Sequence, residues 1–548
     1  MLKVIPLGGL GEIGLNMMVL EYGGKIVIID AGLMFPEDYM LGVDYVIPDF
    51  SYVIQNKSKL AAVILTHAHE DHIGALPYLL REVNVPIYGT PFTLGIVRNK
   101  LEEHGVLAAA SLNLISTDMR LEIDPFAFEF IRVNHSVVDG VGLAIHTPEG
   151  LLIHTGDFKI TESIIEGMTT DVGAFSRYGD QGVLALLSDS TNVEREGRTP
   201  SDQRVSDTLE RLILNSTGRV IVALFASNVS RIQQIVNIIR NGSRKIIFNG
   251  RSIELSVKIA RELNLLKIPD GIEIDISEVD DYPDDEIIIM TTGSQGEPMS
   301  ALARMSSGMH KQIRTREGDT VILSSKFIPG NEKAIAKIIN NLFRKGANVI
   351  YEKVSEIHVS GHAFQDELKM MIEMTRPAYF IPIHGEYRHL YHHARLAEAS
   401  GIPAERVMLA ENGDIILFDE SGGRIRDRVT TSRVLVDGKG VGDVGRSVLK
   451  ERRLLSEEGL VVINMVIDEE TGIVIYGPEI VSRGFVFETE TGHILEDAKC
   501  IILEIIDDAT GLPNRTDVIR RRLLGALREY FNFTMKRRPV ILPFILEL

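Results

Sequence analysis

The chain carries 76 Asp and Glu against 58 Lys and Arg over 548 residues, a formal net charge of −18, with a single cysteine, Cys500. This length predicts about three to four domains, and one thiol excludes both an internal disulfide framework and a sulfur metal cage. The acidic balance excludes broad coating of nucleic acid by a positive field, so any polyanion contact has to be a local channel.

No apolar run approaches the length of a membrane helix, and the N-terminus lacks the charged, apolar, small order of a signal, which predicts a cytoplasmic protein with no membrane partner. The first motif, Gly9-Leu10-Gly11-Glu12-Ile13-Gly14, matches a dinucleotide fingerprint, with Asp30 near the distance of a ribose-binding acid. Its context points elsewhere. Met17 to Tyr22 reads as a strand closing at Gly23-Gly24 and Lys25 to Ile29 as another, so no helix opens after Gly14 and the glycines read as a tight turn.

Ala61 to Leu65 has the length of a buried strand, and Ile73 to Leu80 continues as a short amphipathic helix. Between them His67, His69, Asp71 and His72 place four metal-ligand side chains within six residues. His67 and His69 can point the same way from an extended backbone, while Asp71 and His72 open the helix toward a second point, which suggests two metals. Imidazole and carboxylate without thiolate suit two Zn2+, with Mn2+ the alternative. Such a pair makes a bound water acidic and clamps both oxygens of a displacement at phosphorus, so hydrolysis is the expected reaction class.

Three more candidate ligands follow strands: His135 after Phe126 to Val133, Asp157 after Leu151 to Ile153, and His384 after Phe380 to Ile383. Each alone also fits a packed or capping residue, but with the first cluster they complete a site. Between Asp157 and His384, the segments 219–225, 245–248, 286–290, 320–323 and 348–351 read as buried parallel strands. Helices such as 232–240, 253–263 and 332–345 separate them, which describes a doubly wound insert. Its turns at 226–228, 291–296 and 324–331 are small, polar and suited to a phosphate track, although Ser227 and Asn331 each also read as ordinary N-caps. His362, between Gly361 and Ala363, has room to approach a substrate as general acid or cationic donor, and Asp189 could orient it.

After the glycine-rich stretch 436–445, strands at 460–467, 473–476, 480–487 and 540–546 alternate with helices at 494–506 and 517–531, the second capped by Thr516-Asp517. Arg520, Arg521 and Arg522 read as a solvated helix face. The domain plan is therefore 1–205 for the first part of the metal-binding domain, 206–354 for the insert, 355–435 for the return segment, 436–455 for a linker and 456–548 for a C-terminal domain.

The HxHxDH run, followed in order by His135, Asp157 and His384, resembles the metallo-β-lactamase superfamily. Leu187 to Asn192, Ser360 to Ala363 and Pro382 to Glu386 resemble three motifs of the β-CASP nucleic-acid hydrolases. The opening Leu7 to Asn16, then Asp30-Ala31-Gly32, Phe35 to Asp38, Val46 to Asp49 and the late Arg537 to Pro543 are similar to the ribonuclease J family, over essentially the whole chain. That resemblance implies an α/β fold: a metallo-β-lactamase αββα sandwich, an inserted doubly wound β-CASP domain and a small C-terminal α+β domain. It implies one zinc on His67, His69 and His135 and another on Asp71, His72 and His384, with Asp157 between them and Asp30 supporting the ligands from behind.

The same resemblance gives Asp71, Asp189 and His362 catalytic roles, and places Ser227, Asn228 and the run His358-Val359-Ser360-Gly361-His362-Ala363 against the RNA backbone and a terminal phosphate. A structural Ca2+ would fall on the backbone of Leu41 and Val43 and on Asp437. One departure is His135-Ser136-Val137-Val138-Asp139, where the family usually has a proline, which alters loop stiffness. The implied activity is degradation of RNA from a 5′-monophosphate end together with internal cutting, in RNA turnover and ribosomal RNA maturation. The implied partners are RNA, a second or further copies through the C-terminal domain as homodimer or homotetramer, and an RNA-degradation complex. Two rivals stand beside this reading: another hydrolase on the same core, such as a thioesterase or lactonase, and a noncatalytic RNA-binding scaffold.

Overall fold

The structure, a computed structural model, describes residues 1–548 except 162–166, 298, 328–330, 353–354, 356, 487, 510–511 and 513, with the side chains of 488–492 also left aside. The middle of the turn expected at 324–331 and the end of the strand expected at 480–487 lie outside the described residues. The chain divides into two compact units, one of residues 1–35 and 45–434, the other of 36–44 and 435–548.

The first unit is built on two facing sheets. One has eight strands, running in space from Gly422–Arg428 through Asp414–Asp419, Leu2–Gly8, Met17–Tyr22, Lys25–Ile29, Leu60–Ile64 and Pro86–Gly89 to Ser111–Leu114. The other has six, from Tyr379–Ile383 through Val183–Asp189, Gly150–His154, Val141–Thr147 and Phe126–Arg132 to Arg120–Ile123. Side-chain alternation decides what lies between them. Phe126, Phe128 and Phe130 enter the core shared with Leu20, Val27, Ile29 and Ile64 of the facing sheet, whereas Ile131 and Val133 enter the core beneath the helices Val172–Gln181 and Gln365–Thr375. Burying each such Phe or Ile contributes roughly 1.5–3 kcal/mol. The result is a sandwich with helices outside it.

The glycine-rich opening turn leads into strands and not a helix, as its context predicts. Leu10-Gly11 pairs in parallel with Gly385-Glu386, which brings the turn beside His384. The helix expected over 73–80 differs: a four-residue helix, Glu70–Ile73, precedes a second, Leu76–Glu82, because Pro77 can join a helix only in its first turn. The strands Asp414–Asp419 and Gly422–Arg428 have no counterpart in the sequence reading.

The inserted block is a five-stranded parallel sheet in the spatial order Lys245–Asn249, Ile287–Thr291, Val220–Ala223, Thr320–Leu323, Asn348–Ile350, with helices between successive strands. Apart from Lys245 and Asn348 at their starts, its strands are buried, the pattern of a sheet covered on both faces. When the chain returns, Tyr379–Ile383 lies parallel to Val183–Asp189, with Asp189 opposite Ile383. That pairing carries His384 across nearly two hundred residues of sequence to the same sheet edge as Asp157 and Asp189.

In the second unit, Leu460–Ile467 is central, antiparallel to Val474–Arg483 and parallel to Val540–Glu547. The helices Glu488–Asp508 and Arg515–Met535 contribute Ile502, Ile506, Ile519, Leu523, Leu527 and Phe531 to one core. Three expectations are corrected. The two short strands at 473–476 and 480–487 are one strand that runs through an irregularity of pairing opposite Asn464 to Ile467. The expected linker 436–455 holds most of the helix Arg446–Glu458. Thr516 and Asp517 lie inside the last helix, whose N-cap is Asn514.

Candidate metal centre

Each expected ligand leaves the end of a strand on one edge of the sandwich. His69 is extended, with φ −74° and ψ 149°, and caps the short helix Glu70–Ile73, so His67 and His69 precede the helix while Asp71 and His72 ride on it. His67, His69, His135 and Asp157 form one group of converging donor atoms, and Asp71, His72 and His384 form another. Asp157 stands between them: its Oδ2 lies 3.6 Å from His67 Nε2, 3.3 Å from His72 Nε2, and 3.7 Å from both His135 Nε2 and His384 Nε2. Asp71 Oδ2 lies 3.2 Å from His384 Nε2 and, at 29 % side-chain exposure, faces the open side.

Electrostatics separates the two groups. Burial, with help from neighbouring imidazoles, pushes His67 and His135 well below the usual histidine range, and burial brings His69 down to about 4. These rings are neutral and keep a lone pair to offer. For His72 and His384 burial acts in the same direction but is outweighed by Asp157 and the other carboxylates, and both are pushed well up. Asp157 and Asp71 are held well below the carboxylate range by those imidazoles despite the opposing pull of burial.

Behind the ligands, Asp30 accepts from Thr66 N and Thr66 Oγ1, each at 2.8 Å, and its Oδ2 lies 2.7 Å from His72 Nδ1. That bond leaves His72 Nε2 to face the centre. On the other side, Asp189 Oδ2 lies 2.8 Å from His362 Nδ1, and Asp189 Oδ1 accepts from Thr191 N and Thr191 Oγ1. Burial lowers His362, but the Asp189 carboxylate more than compensates and the ring is pushed up; its side chain remains 19 % exposed. Gly361 allows this approach, because a Cβ there would stand 2.6 Å from His135 Nδ1, whose ring nitrogen is 2.8 Å from Gly361 O.

The structure also gathers residues that the sequence did not single out. Asn16 Nδ2 donates to Asp71 O at 3.0 Å and lies 3.1 Å from His72 Nε2; Gly9, at φ +90°, makes room for it, since a Cβ would meet Asn16 Oδ1 at 2.4 Å. Thr191 Oγ1 lies 2.6 Å from His384 Nδ1, and Asn192 Nδ2 donates to Ser360 Oγ and His362 O. Thr191 and Asn192 follow the strand end Asp189 as polar residues, but nothing in the sequence marks which group they would meet, and Asn16 carries no signal of its own role.

Among the expected substrate contacts, Asn228 accepts from Arg231 N and caps the helix Val229–Ile239, so the capping role falls to Asn228 and not Ser227. Asn331 occupies an N-cap position, and among the described residues its side chain makes no capping bond. Val359 and Ala363 are buried, Ser360 Oγ is engaged by Asn192, and among the described residues His358 Nδ1 is buried without a partner, as are Arg231 Nε and Nη1. In the second unit, Leu41 O and Asp437 Oδ2 both accept from the guanidinium of Arg452, while Val43 N donates to Met40 O.

A helix-flanked sandwich with this donor cluster on one edge, interrupted by a parallel-sheet insert, defines a metallo-β-lactamase-fold hydrolase of β-CASP type. Family models agree along the chain: the metallo-beta-lactamase superfamily over 10–197, the ribonuclease J beta-CASP domain over 217–342, a Zn-dependent metallo-hydrolase RNA specificity domain over 346–407 and the ribonuclease J C-terminal domain over 447–548. The chain is 42 % identical to Ribonuclease J 1 of Streptococcus pyogenes serotype M3, covering 99 % of this chain and 97 % of that one. It is 40 % identical to Ribonuclease J2 of Bacillus subtilis, covering 100 % and 98 %, and 38 % identical to Ribonuclease J of Helicobacter pylori, covering 96 % and 78 %. The chain belongs to the ribonuclease J family. A solved structure of a protein of unknown function from Enterococcus faecalis V583 shares the fold, with a TM-score of 0.55 at 16 % identity over 76 % of this chain and 99 % of that one.

Proposed function

We propose that the protein is a zinc-dependent ribonuclease that hydrolyses RNA phosphodiesters at this centre, both stepwise from a 5′-monophosphorylated end and internally, in RNA turnover and ribosomal RNA maturation. The observation that carries this reading is Asp157 Oδ2, within 3.7 Å of four imidazole Nε2 atoms drawn from two ligand groups. His67, His69, His135 and Asp157 would hold one ion, and Asp71, His72, His384 and the shared Asp157 the other. The donor set fits, being imidazole and carboxylate alone with three rings already neutral, and manganese would suit the same atoms. Two zinc ions held there would supply an acidified water and draw charge from the phosphoryl oxygens.

The chain's own residues do the rest. Asp30 and Thr66 fix the His72 ring, and Asn16 fixes the Asp71 segment. The Asp189 carboxylate at Nδ1 raises the proton affinity of the His362 ring, so its Nε2 would be the side to give a proton to the departing 3′ oxygen, which would leave the phosphate on the 5′ end of the product. Arg231, Lys159 and Lys326 act with burial to bring His358 down to about 3, which leaves its ring neutral; among the described residues His358 Nδ1 and Arg231 Nε and Nη1 have no hydrogen-bond partner, and these are the positions that would meet substrate phosphates in an acidic protein. Ser360, Gly361 and Ala363 flank His362 in the chain and would lie along the same stretch of RNA backbone.

The C-terminal sheet supports self-association as a homodimer or homotetramer, since the alternating Leu542, Phe544 and Leu546 share one face, with Phe544 57 % and Leu546 63 % exposed. Such an assembly also offers a surface for an RNA-degradation complex. Among the described residues no helix is long and apolar enough to cross a membrane. The deciding experiment is single-turnover digestion of one RNA carrying a 5′-monophosphate or a 5′-triphosphate, with zinc or manganese. Mononucleotides from the monophosphorylated RNA and internal fragments from both support the reading; an intact RNA overturns it.

A further inference from the structure

Glu367 is a fully buried carboxylate that gathers backbone from three places in the chain. Its Oε1 accepts from Ile160 N at 2.7 Å, three residues beyond Asp157. Its Oε2 accepts from Thr199 N at 2.8 Å, from Thr199 Oγ1 and from Phe364 N at 3.0 Å. Thr199 lies where the chain leaves the sandwich for the insert, and Phe364 lies where it has returned, two residues past His362. Thr199 Oγ1 is also 3.3 Å from His362 O.

A second buried contact braces the same junction. Lys159 Nζ, 4 % exposed, donates to Asp202 Oδ2 at 2.7 Å, tying the segment after Asp157 to the first helix of the insert. Lys159 N in turn donates to Asn134 O, next to His135. The ligand-bearing loops of His135 and Asp157 and the loop of His362 are thus fastened to one carboxylate and its neighbour. Four donors converge on one buried carboxylate only in a fixed geometry, because a buried donor left without its acceptor is strongly unfavourable.

We propose that Glu367 is a positioning residue that sets the distance between His362 and the ligands His135 and Asp157, by clamping both crossings of the chain between sandwich and insert. This rests on the ribonuclease reading, in which His362 acts on a phosphate held at the ligands. An error of about 1 Å in such a spacing costs about 100-fold in turnover without weakening binding.

The test compares Glu367→Gln, whose amide offers one acceptor oxygen to four donors, with Thr199→Val, which deletes a single donor and leaves the fold intact. The readouts are kcat and KM on a 5′-monophosphorylated RNA, bound metal per chain, and amide hydrogen exchange. Expected are a loss in kcat of about 100-fold for Glu367→Gln and about tenfold for Thr199→Val, KM within about threefold, and unchanged metal content. Exchange should rise together in the segments 157–160 and 360–364. If Glu367→Gln does not fold, Thr199→Val decides alone. Wild-type kcat in the folded variants, a loss confined to KM or metal content, or unchanged exchange in either segment overturns the clamp. Wild-type protein that leaves RNA uncut fails the ribonuclease reading separately, and the exchange measurement still decides whether Glu367 couples the two loops.

Discussion

The Asp189 carboxylate and the His362 imidazole meet at 2.8 Å although 173 residues, including the whole insert, separate them in the chain. Asp189 ends a strand of the sandwich and His362 belongs to the returning segment, so the pair joins the two ends of the chain's excursion through the insert. Asp189 Oδ2 takes the Nδ1 side of the ring, which leaves Nε2 as the side that can serve a substrate.

Asp189→Asn therefore keeps the shape and removes the charge that holds the His362 proton. Turnover should fall about 100-fold with KM little changed, because a supporting partner of this kind typically contributes 10- to 100-fold. Single-turnover cleavage of the 5′-monophosphorylated RNA at neutral pH measures it. Equal rates for variant and wild type would remove His362 from the proton transfer.

Asp71→Ala takes away a ligand on the open side without touching the Ser227-Asn228 turn, His358 or Arg231. Turnover should disappear, RNA affinity should stay within about threefold, and bound metal should drop from two ions per chain to about one. Metal analysis of the purified variant together with a filter-binding isotherm checks all three. Unchanged cleavage would falsify the division of ligands into two sets.

What could be read in the sequence was local. His67 to His72 announce themselves because a strand end and a helix start hold all four ligands, and the parallel strands of the insert because each is a short run dominated by apolar residues. His384 was visible as a strand-terminal histidine, although its nearness to Asp157 depends on the pairing of Tyr379–Ile383 with Val183–Asp189. Asn16, Thr191 and Glu367 were not visible, since an amide, a hydroxyl or a carboxylate acquires its role only from what folding brings against it. The strand Gly422–Arg428, half-exposed and rich in glycine and arginine, carries no periodic apolar signal at all.

Asp139 gives a pH dependence of stability. It sits at φ 54° in the loop after His135, and its carboxylate accepts from Thr90 Oγ1 and Phe92 N, each at 2.8 Å, fastening that loop to the start of the helix Pro91–Glu103. Burial pushes its carboxyl up to about 7, and the two hydrogen bonds only partly offset this. Between about pH 4 and 7 the folded chain keeps a proton that the unfolded chain has released, so this group's contribution falls as pH rises through that window, by roughly 4 kcal/mol in all. Asp139→Asn cannot ionise and lacks this slope. Relative to wild type it should be less stable at pH 5 than at pH 8, by thermal unfolding at both values; a gap independent of pH would show that Asp139 is ionised throughout.

Arg452 makes a contrasting prediction about metal dependence. The family resemblance places calcium on Leu41, Val43 and Asp437, yet Leu41 O accepts from Arg452 Nη1 at 2.9 Å and Asp437 accepts from Nη2. Gly42, at φ +77°, lets the loop close over the guanidinium, for a Cβ there would stand 2.7 Å from Nη1. A fixed positive charge on those acceptors does what a divalent ion would do, so unfolding of the wild-type protein should be indifferent to calcium and to a calcium chelator. Arg452→Met leaves the Asp437 carboxylate and the Leu41 carbonyl without their cation. At about a third exposure the lost contact is worth at most roughly 1 kcal/mol, which should appear as a drop of a few degrees in Tm that added calcium restores. Calcium raising the Tm of the wild-type protein would instead assign the seat to the metal and leave Arg452 as its neighbour.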